Sequence, residues 1–307
     1  MTKKTGLSKH KRETSKLKPF VVTGRDQDIL QALGEYRYLR VDQVKRLFFR
    51  ENKDLQSPNR RLKYLYHGKY INKVSTYGRR HDVSPQWVYF LDKKGMTHLH
   101  DRGISARIWP KTKQVKFNTL QHALDLSDFR INLELGLESS DVVSLKTFIP
   151  DFQMTKVSAL QSSRNKRIAY TTIVSPVNKQ SYIIYPDALI VLQALVEDVA
   201  HEKLYFLEID RGTHGLQVVC DKVHGYYLYH QKKFHASFGD FTDFKVLIQT
   251  SGEKRADNLR KMLADRFGSE RVWVTDYEKV NEQSLLYDPI WKGVDGKARS
   301  ILLNSHA

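Results

Sequence analysis

The sequence predicts an α+β protein in two parts, an N-terminal winged helix-turn-helix followed by an α/β sandwich around a mixed sheet. Three observations carry this expectation. Short helical stretches and a hairpin fill the first third of the 307 residues, and strand-length apolar runs alternate with amphipathic stretches from residue 117 onward. The charge divides at the same place: residues 1–116 hold 28 Lys+Arg against 10 Asp+Glu, a net +18, while the remaining 23 and 24 nearly cancel at −1. Such a one-sided field calls for a polyanionic partner, nucleic acid first and an acidic membrane surface second.

Composition removes several classes. One cysteine, Cys220, excludes an internal disulfide and a cysteine-based zinc site, and suits a reducing cytoplasm. No apolar run nears the roughly 20 residues of a membrane helix, and the N-terminus shows no signal-peptide apolar segment, so a cytoplasmic protein without membrane insertion is expected. A glycine-rich phosphate loop, a Ser/His/Asp set and a dinucleotide fingerprint are all missing from the text.

Residues 1–18 carry seven Lys/Arg and one Glu, and read as a disordered basic arm. Residues 19–110 read as the winged-helix DNA-binding domain. Thr23 and Asp26 offer caps to a helix whose Ile29, Leu30 and Leu33 share a face, and a second short helix starts near Val41 or Asp42. Ser57-Pro58 opens a third helix that ends at Gly68. In that third helix Leu62 and Leu65 turn inward, which leaves Asn59, Arg60, Arg61 and Lys63 as candidates to enter the major groove of double-stranded DNA. A hairpin from Tyr70 to Leu91 forms the wing, and Arg79 and Arg80 at its tip would reach phosphates or the minor groove.

Residues 111–116 read as a linker, 117–280 as the second domain and 281–307 as a C-terminal tail. A long helix covers Phe117 to Glu138 and a strand Val142 to Ile149, and Pro150 to about Asn165 has no readable pattern. Residues 167–174 and 182–192 then suit a hairpin. A strand from Leu204 to Asp210, a helix from Gly215 to His235, a strand at Phe244, a helix ending at Gly268 and a strand at Arg271 complete the order. Two strands carry acid where an apolar run should not: Asp187 begins one, and Glu208 and Asp210 alternate onto one face of the next. If Asp187 lies beside that pair, three carboxylates converge, and a divalent cation or a raised pKa relieves their repulsion. Oxygen-only ligands favour Mg²⁺ or Mn²⁺. The alternative reading pairs Glu208 and Asp210 with Lys203 and Arg211 at a strand end.

The order helix, strand, strand with Pro186-Asp187, strand with Glu208-Ile-Asp210, helix, strand resembles the restriction-endonuclease-like core, whose signature is Pro-Asp followed by Asp/Glu-x-Lys. Asp210 stands where that signature has Lys, and Lys222 on the following helix is placed to supply it. The wider pattern, Arg25-Asp-Gln-Asp-Ile-Leu and Leu39-x-x-x-Gln43-x-x-x-Leu47-Phe joined to Glu208-Ile-Asp-Arg-Gly-Thr213, resembles the plasmid replication-relaxation family and is similar in layout to MobC-type relaxases. The resemblance implies a site-specific, metal-dependent DNA nickase at a replication or transfer origin of a mobile element. Asp187, Glu208 and Asp210 would hold Mg²⁺ or Mn²⁺ with Glu134 completing the shell, and Asp187, Glu208, Asp210 and Lys222 would act in catalysis. Single-stranded DNA at the second domain and mobilisation or replication proteins are the further partners it implies. Tyr226, Tyr227 and Tyr229 offer a covalent alternative to water as nucleophile, although their helical spacing fits core packing better. A non-catalytic DNA-binding factor with a degenerate nuclease domain is the rival reading.

Overall fold

In the computed structural model, which describes residues 11–16, 18–76, 86–106, 115–153, 168–197, 199–267 and 270–302, the chain forms two compact units, 1–131 and 132–307. The first is built on α1 (Gly24–Tyr36), β1 (Leu39–Arg40), α2 (Val41–Phe48), α3 (Gln56–His67), β2 (Ile71–Ser75), β3 (Trp87–Leu91) and α4 (Lys93–His100). Its three strands form an antiparallel sheet in the order β1-β3-β2. Thr23 caps α1 by accepting the N–H of Asp26 while the Asp26 carboxylate accepts the N–H of Thr23, a reciprocal box that stops the first turn from fraying. The apolar faces read from helical spacing point inward as expected: Ile29, Leu30, Leu33, Leu62 and Leu65 are completely buried.

A further helix, α5 (Phe117–Leu137), spans the division between the units. Its first half belongs to the first unit, where Leu120 and Leu124 pack with Tyr38, Val88 and Phe90. Gln43, fully buried, ties α2 to it: the side-chain amide donates to Leu124 O at 3.1 Å and to Asp128 at 2.8 Å, while its oxygen accepts the N–H of Arg40. One expectation needs correction here. Arg12, Glu13 and Thr14, read as part of a disordered arm, are fixed to the first unit. Arg12 donates to Ile71 O at 2.8 Å and pairs with Asp92, and the N–H of Glu13 donates to His67 Nδ1 at 2.9 Å. Partners 54 to 80 residues away gave no local signal of this. Arg79 and Arg80, at the expected wing tip, lie outside the described residues, as do 111–114 of the expected linker.

The second unit contains β4 (Val143–Pro150), β5 (Thr171–Val174), β6 (Ser181–Ile184), β7 (Ala188–Val196), β8 (Val199–Asp210), α6 (Leu216–Gln231), β9 (Phe244–Thr250), α7 (Glu253–Phe267), β10 (Val272–Asp276), α8 (Ser284–Tyr287), β11 (Trp291–Gly293) and β12 (Ala298–Arg299). Seven strands form one mixed sheet in the order β12-β11-β10-β9-β8-β7-β4, parallel only where β9 meets β8 and β10. The expected hairpin of 167–174 with 182–192 is divided between two sheets. Among the described residues, 171–174 pair only with 181–184; the chain then breaks at Tyr185-Pro186-Asp187, and β7 enters the large sheet. Proline has no N–H to donate to a ladder, so the apolar run cannot continue as a single paired strand through it. The small β5–β6 hairpin lies against α6 at Gly225, where a Cβ would come within 2.6 Å of Ile184. The segment 281–307, read as a C-terminal tail, supplies α8 and two sheet strands and buries Trp291 completely. Among the described residues no helix is long and apolar enough to cross a membrane.

Candidate functional site

Alternation along β8 puts Leu204, Phe206, Glu208 and Asp210 on one face, and the first two are embedded in the core that α6 and α7 complete. On β7, Ala188 is opposite Leu207 and Leu189 opposite Phe206, so Asp187, one residue before the strand, lies beside Glu208 on that same face. Its backbone N–H donates to Leu207 O at 2.9 Å, and its carboxylate Oδ2 accepts the N–H of Ile209 at 2.7 Å. Asp187 lies opposite Glu208, Glu208 and Asp210 alternate onto one face of β8, and each acid has a different environment.

Glu208 is the most enclosed of them, 6% exposed. Lys222 Nζ donates to its Oε2 and the Tyr226 hydroxyl to its Oε1; these two residues are one helical turn apart on α6 and close on the same carboxylate. Burial pushes Glu208 up to about 7 and Asp187 adds to the rise, against the opposing pull of Lys222 and Tyr226. Burial works against the charge of Lys222, but Glu208, Asp187 and Asp151 together hold its pKa above the ordinary lysine value. Tyr226 is raised well above the ordinary phenol range by burial and by Glu208. That hydroxyl therefore stays protonated as a donor, which counts against it as a nucleophile. Tyr229 is buried too and pushed up to about 12 by desolvation, whereas Tyr227 is exposed and stacks on His224.

Asp210 faces the same way as Glu208 but is taken up elsewhere. Arg255 of α7 grips both its oxygens, at 2.6 and 3.0 Å, and Thr250 and the N–H of Gly212 donate as well. Burial raises its pKa, and these hydrogen bonds outweigh burial and bring it below the usual carboxylate range. Glu208 is paired with Lys222 and Asp210 with Arg255, two cations that the alternative reading did not name. The charges that raise Lys222 are Glu208, Asp187 and Asp151, and Glu134 is half-buried on α5. Asp151 is the acid that sequence reasoning missed. It follows β4, its N–H donates to Asp187 O at 2.8 Å, and it accepts from the Tyr185 hydroxyl at both its carbonyl (2.8 Å) and its carboxylate (3.2 Å). The available signal was a second Pro-Asp, Pro150-Asp151, at the end of a strand.

Among the described residues no group of three His, Cys, Asp or Glu side chains is arranged to hold a metal ion. Lys222 and Tyr226 take the two Glu208 oxygens, the N–H of Ile209 donates to Asp187 Oδ2, and Arg255 neutralises Asp210. In the first unit, Asn59 and Arg60 on α3 are exposed and Lys63 is half-buried. Arg61 is not directed outward as a DNA contact: it grips the fully buried Asp26 with two nitrogens and donates to Val21 O.

A family model described as replication-relaxation matches residues 30–243. No curated protein and no solved structure matches the chain. The match covers well over half of the sequence, and the chain belongs to the replication-relaxation family.

Proposed function

We propose that this replication-relaxation protein is a site-specific DNA nickase acting at a replication or transfer origin of a mobile element. The observation that carries the reading is the trio Asp187, Glu208 and Lys222: two carboxylates neighbouring across β7 and β8, with a lysine delivered from the next helix onto the second. The trio resembles the restriction-endonuclease-like signature with its lysine moved from strand to helix, and on this reading the layout is similar to that of MobC-type relaxases. Asp187 and Glu208 would hold Mg²⁺ or Mn²⁺, which when bound polarises the scissile phosphate and acidifies an attacking water. Lys222 offsets charge that builds on the phosphate in the transition state, and Tyr226 fixes the Glu208 carboxylate by a hydrogen bond. The first unit, in which α1, α2 and α3 precede the β2–β3 pair of a β1-β3-β2 sheet, fits a winged helix-turn-helix that would deliver duplex DNA through Asn59, Arg60 and Lys63.

The test is relaxation of supercoiled plasmid carrying the cognate origin, with Mg²⁺ or Mn²⁺, by the wild type and by Asp187→Ala, Glu208→Ala and Lys222→Met. Loss of nicking in all three supports the trio; relaxation that persists in all three refutes it. A second reading, a non-catalytic DNA-binding replication or mobilisation factor, is favoured by one observation: Lys222 and Arg255 already compensate Glu208 and Asp210. It predicts duplex binding by the wild type without relaxation under either metal.

A further inference from the structure

The Glu208 carboxylate already has a cation of its own. Lys222 Nζ donates to Oε2 and the Tyr226 hydroxyl to Oε1, so α6 takes both oxygens. Beside it Asp187 accepts the N–H of Ile209 at 2.7 Å, and Asp210 is held by Arg255. As they stand, these carboxylates do not present the open cluster of oxygens that a hard divalent cation gathers around itself. A cation brought to Glu208 would meet the Lys222 ammonium there, and like charges that close repel strongly where water is scarce. The ammonium and a divalent cation are therefore rivals for one carboxylate.

The two donors on Glu208 differ in their freedom to yield. Lys222 has a flexible four-carbon stem and its side chain is 30% exposed, so the ammonium can turn out into water. Tyr226 is 2% exposed, its ring stacked on Phe206 at 5.4 Å and set against Phe244. It cannot leave without opening the core. Nor can one ammonium neutralise Glu208 and a substrate phosphate at the same time.

We infer that Lys222 is the resident counter-ion of Glu208 and gives the carboxylate up to a divalent cation, which frees the ammonium for the DNA phosphate while Tyr226 keeps its hold; this rests on the nickase reading above. At rest the buried charge is compensated within the protein. Lys222 and the cation then serve Glu208 in succession and not side by side, and the lysine becomes available to substrate only in the loaded site.

Two measurements on the full chain test this, neither of them plasmid relaxation. Acetic anhydride labelling of the wild type, read peptide by peptide in mass spectrometry, should modify Lys222 several-fold faster once Mg²⁺ is added, with the exposed Lys203 as the unchanged reference. Mn²⁺ binding is followed by calorimetry at pH 8.5, so that loss of the ammonium does not simply protonate Glu208, with Glu208→Ala as the background. Affinity should rise about tenfold in Lys222→Met, or binding appear only there, a change of the size that neighbours of a metal ligand bring about. Lys222→Arg, whose planar fork holds a carboxylate more firmly, should weaken binding, and Tyr226→Phe should not strengthen it. A wild type that binds Mn²⁺ while Mg²⁺ leaves Lys222 labelling unchanged, or that binds it as tightly as Lys222→Met, overturns the exchange and leaves the metal reading standing. A folded wild type and a folded Lys222→Met that both bind no more Mn²⁺ than Glu208→Ala overturn the metal reading and the exchange together.

Discussion

Asp26 and Glu208 are each a buried carboxylate held by a cation, one in each unit, and their ionisation moves in opposite directions. At Asp26, burial is outweighed by a two-nitrogen grip from Arg61 and by the hydroxyl and N–H of Thr23, and the pKa falls. At Glu208, a single ammonium and a phenol oppose burial and the charge of Asp187, and the pKa rises to about 7. The difference is in the number of donors and the sign of the nearest extra charge, not in the presence of a partner. The first arrangement ties α1 to α3. The second leaves a carboxylate that can change protonation near neutrality, which is where pKa shifts concentrate at reactive sites.

Four measurements would break or sharpen this contrast. The largest effect is expected from Arg61→Ala, which leaves Asp26 charged and unpaired in the core and should destabilise the first unit by about 3–5 kcal/mol in denaturant unfolding. Adding Asp26→Asn should recover much of that loss. Unchanged stability with weaker DNA binding would instead restore Arg61 as a DNA contact. Next, Lys222→Met should slow plasmid relaxation by about 100-fold, comparable to losing one transition-state donor. It should also move the Glu208 titration, followed by side-chain NMR, above about 7, because Lys222 is the main opposing charge.

The third is a pH dependence. The folded pKa of Glu208 lies above its ordinary 4.5, so its neutral form favours the folded state, and that contribution is lost as pH rises from about 4.5 through about 7. Glu208→Gln should match the wild type below this window and exceed it in stability above, as read by melting temperature across pH. An identical pH profile for the two would show that Glu208 is ionised throughout. The smallest effect is expected from Lys146→Ala. Lys146 touches Glu202 as closely as Lys222 touches Glu208, but half its side chain is exposed, so the loss should stay within about 1 kcal/mol.

How much of this was legible in the text depended on the distance over which each decision is made. The inward faces of α1 and α3 and the Glu208 and Asp210 alternation follow from local periodicity, and the folded chain keeps them, whereas Lys222 came from the resemblance to a restriction-endonuclease-like core. Arg61 was misread because its helical angle is ambiguous and its partner lies 35 residues upstream. The apolar run from Tyr182 looked continuous because periodicity does not register where a ladder ends, and only Pro186 marked the change of sheet. Asp151 escaped notice because the text after it has no pattern, although its partners Tyr185 and Asp187 are plain in the sequence.

Gly225, between Lys222 and Tyr226, has a consequence for how this protein can vary. The helix is keyed to its strand at two points on one side chain, and on its other flank it has no room for even a methyl group beside Ile184. A single added carbon there would press on the end of the Ile184 side chain and on Tyr182, so the β5–β6 hairpin has to give way before α6 can take it. The helix that carries both Glu208 donors thus varies together with the hairpin that covers it.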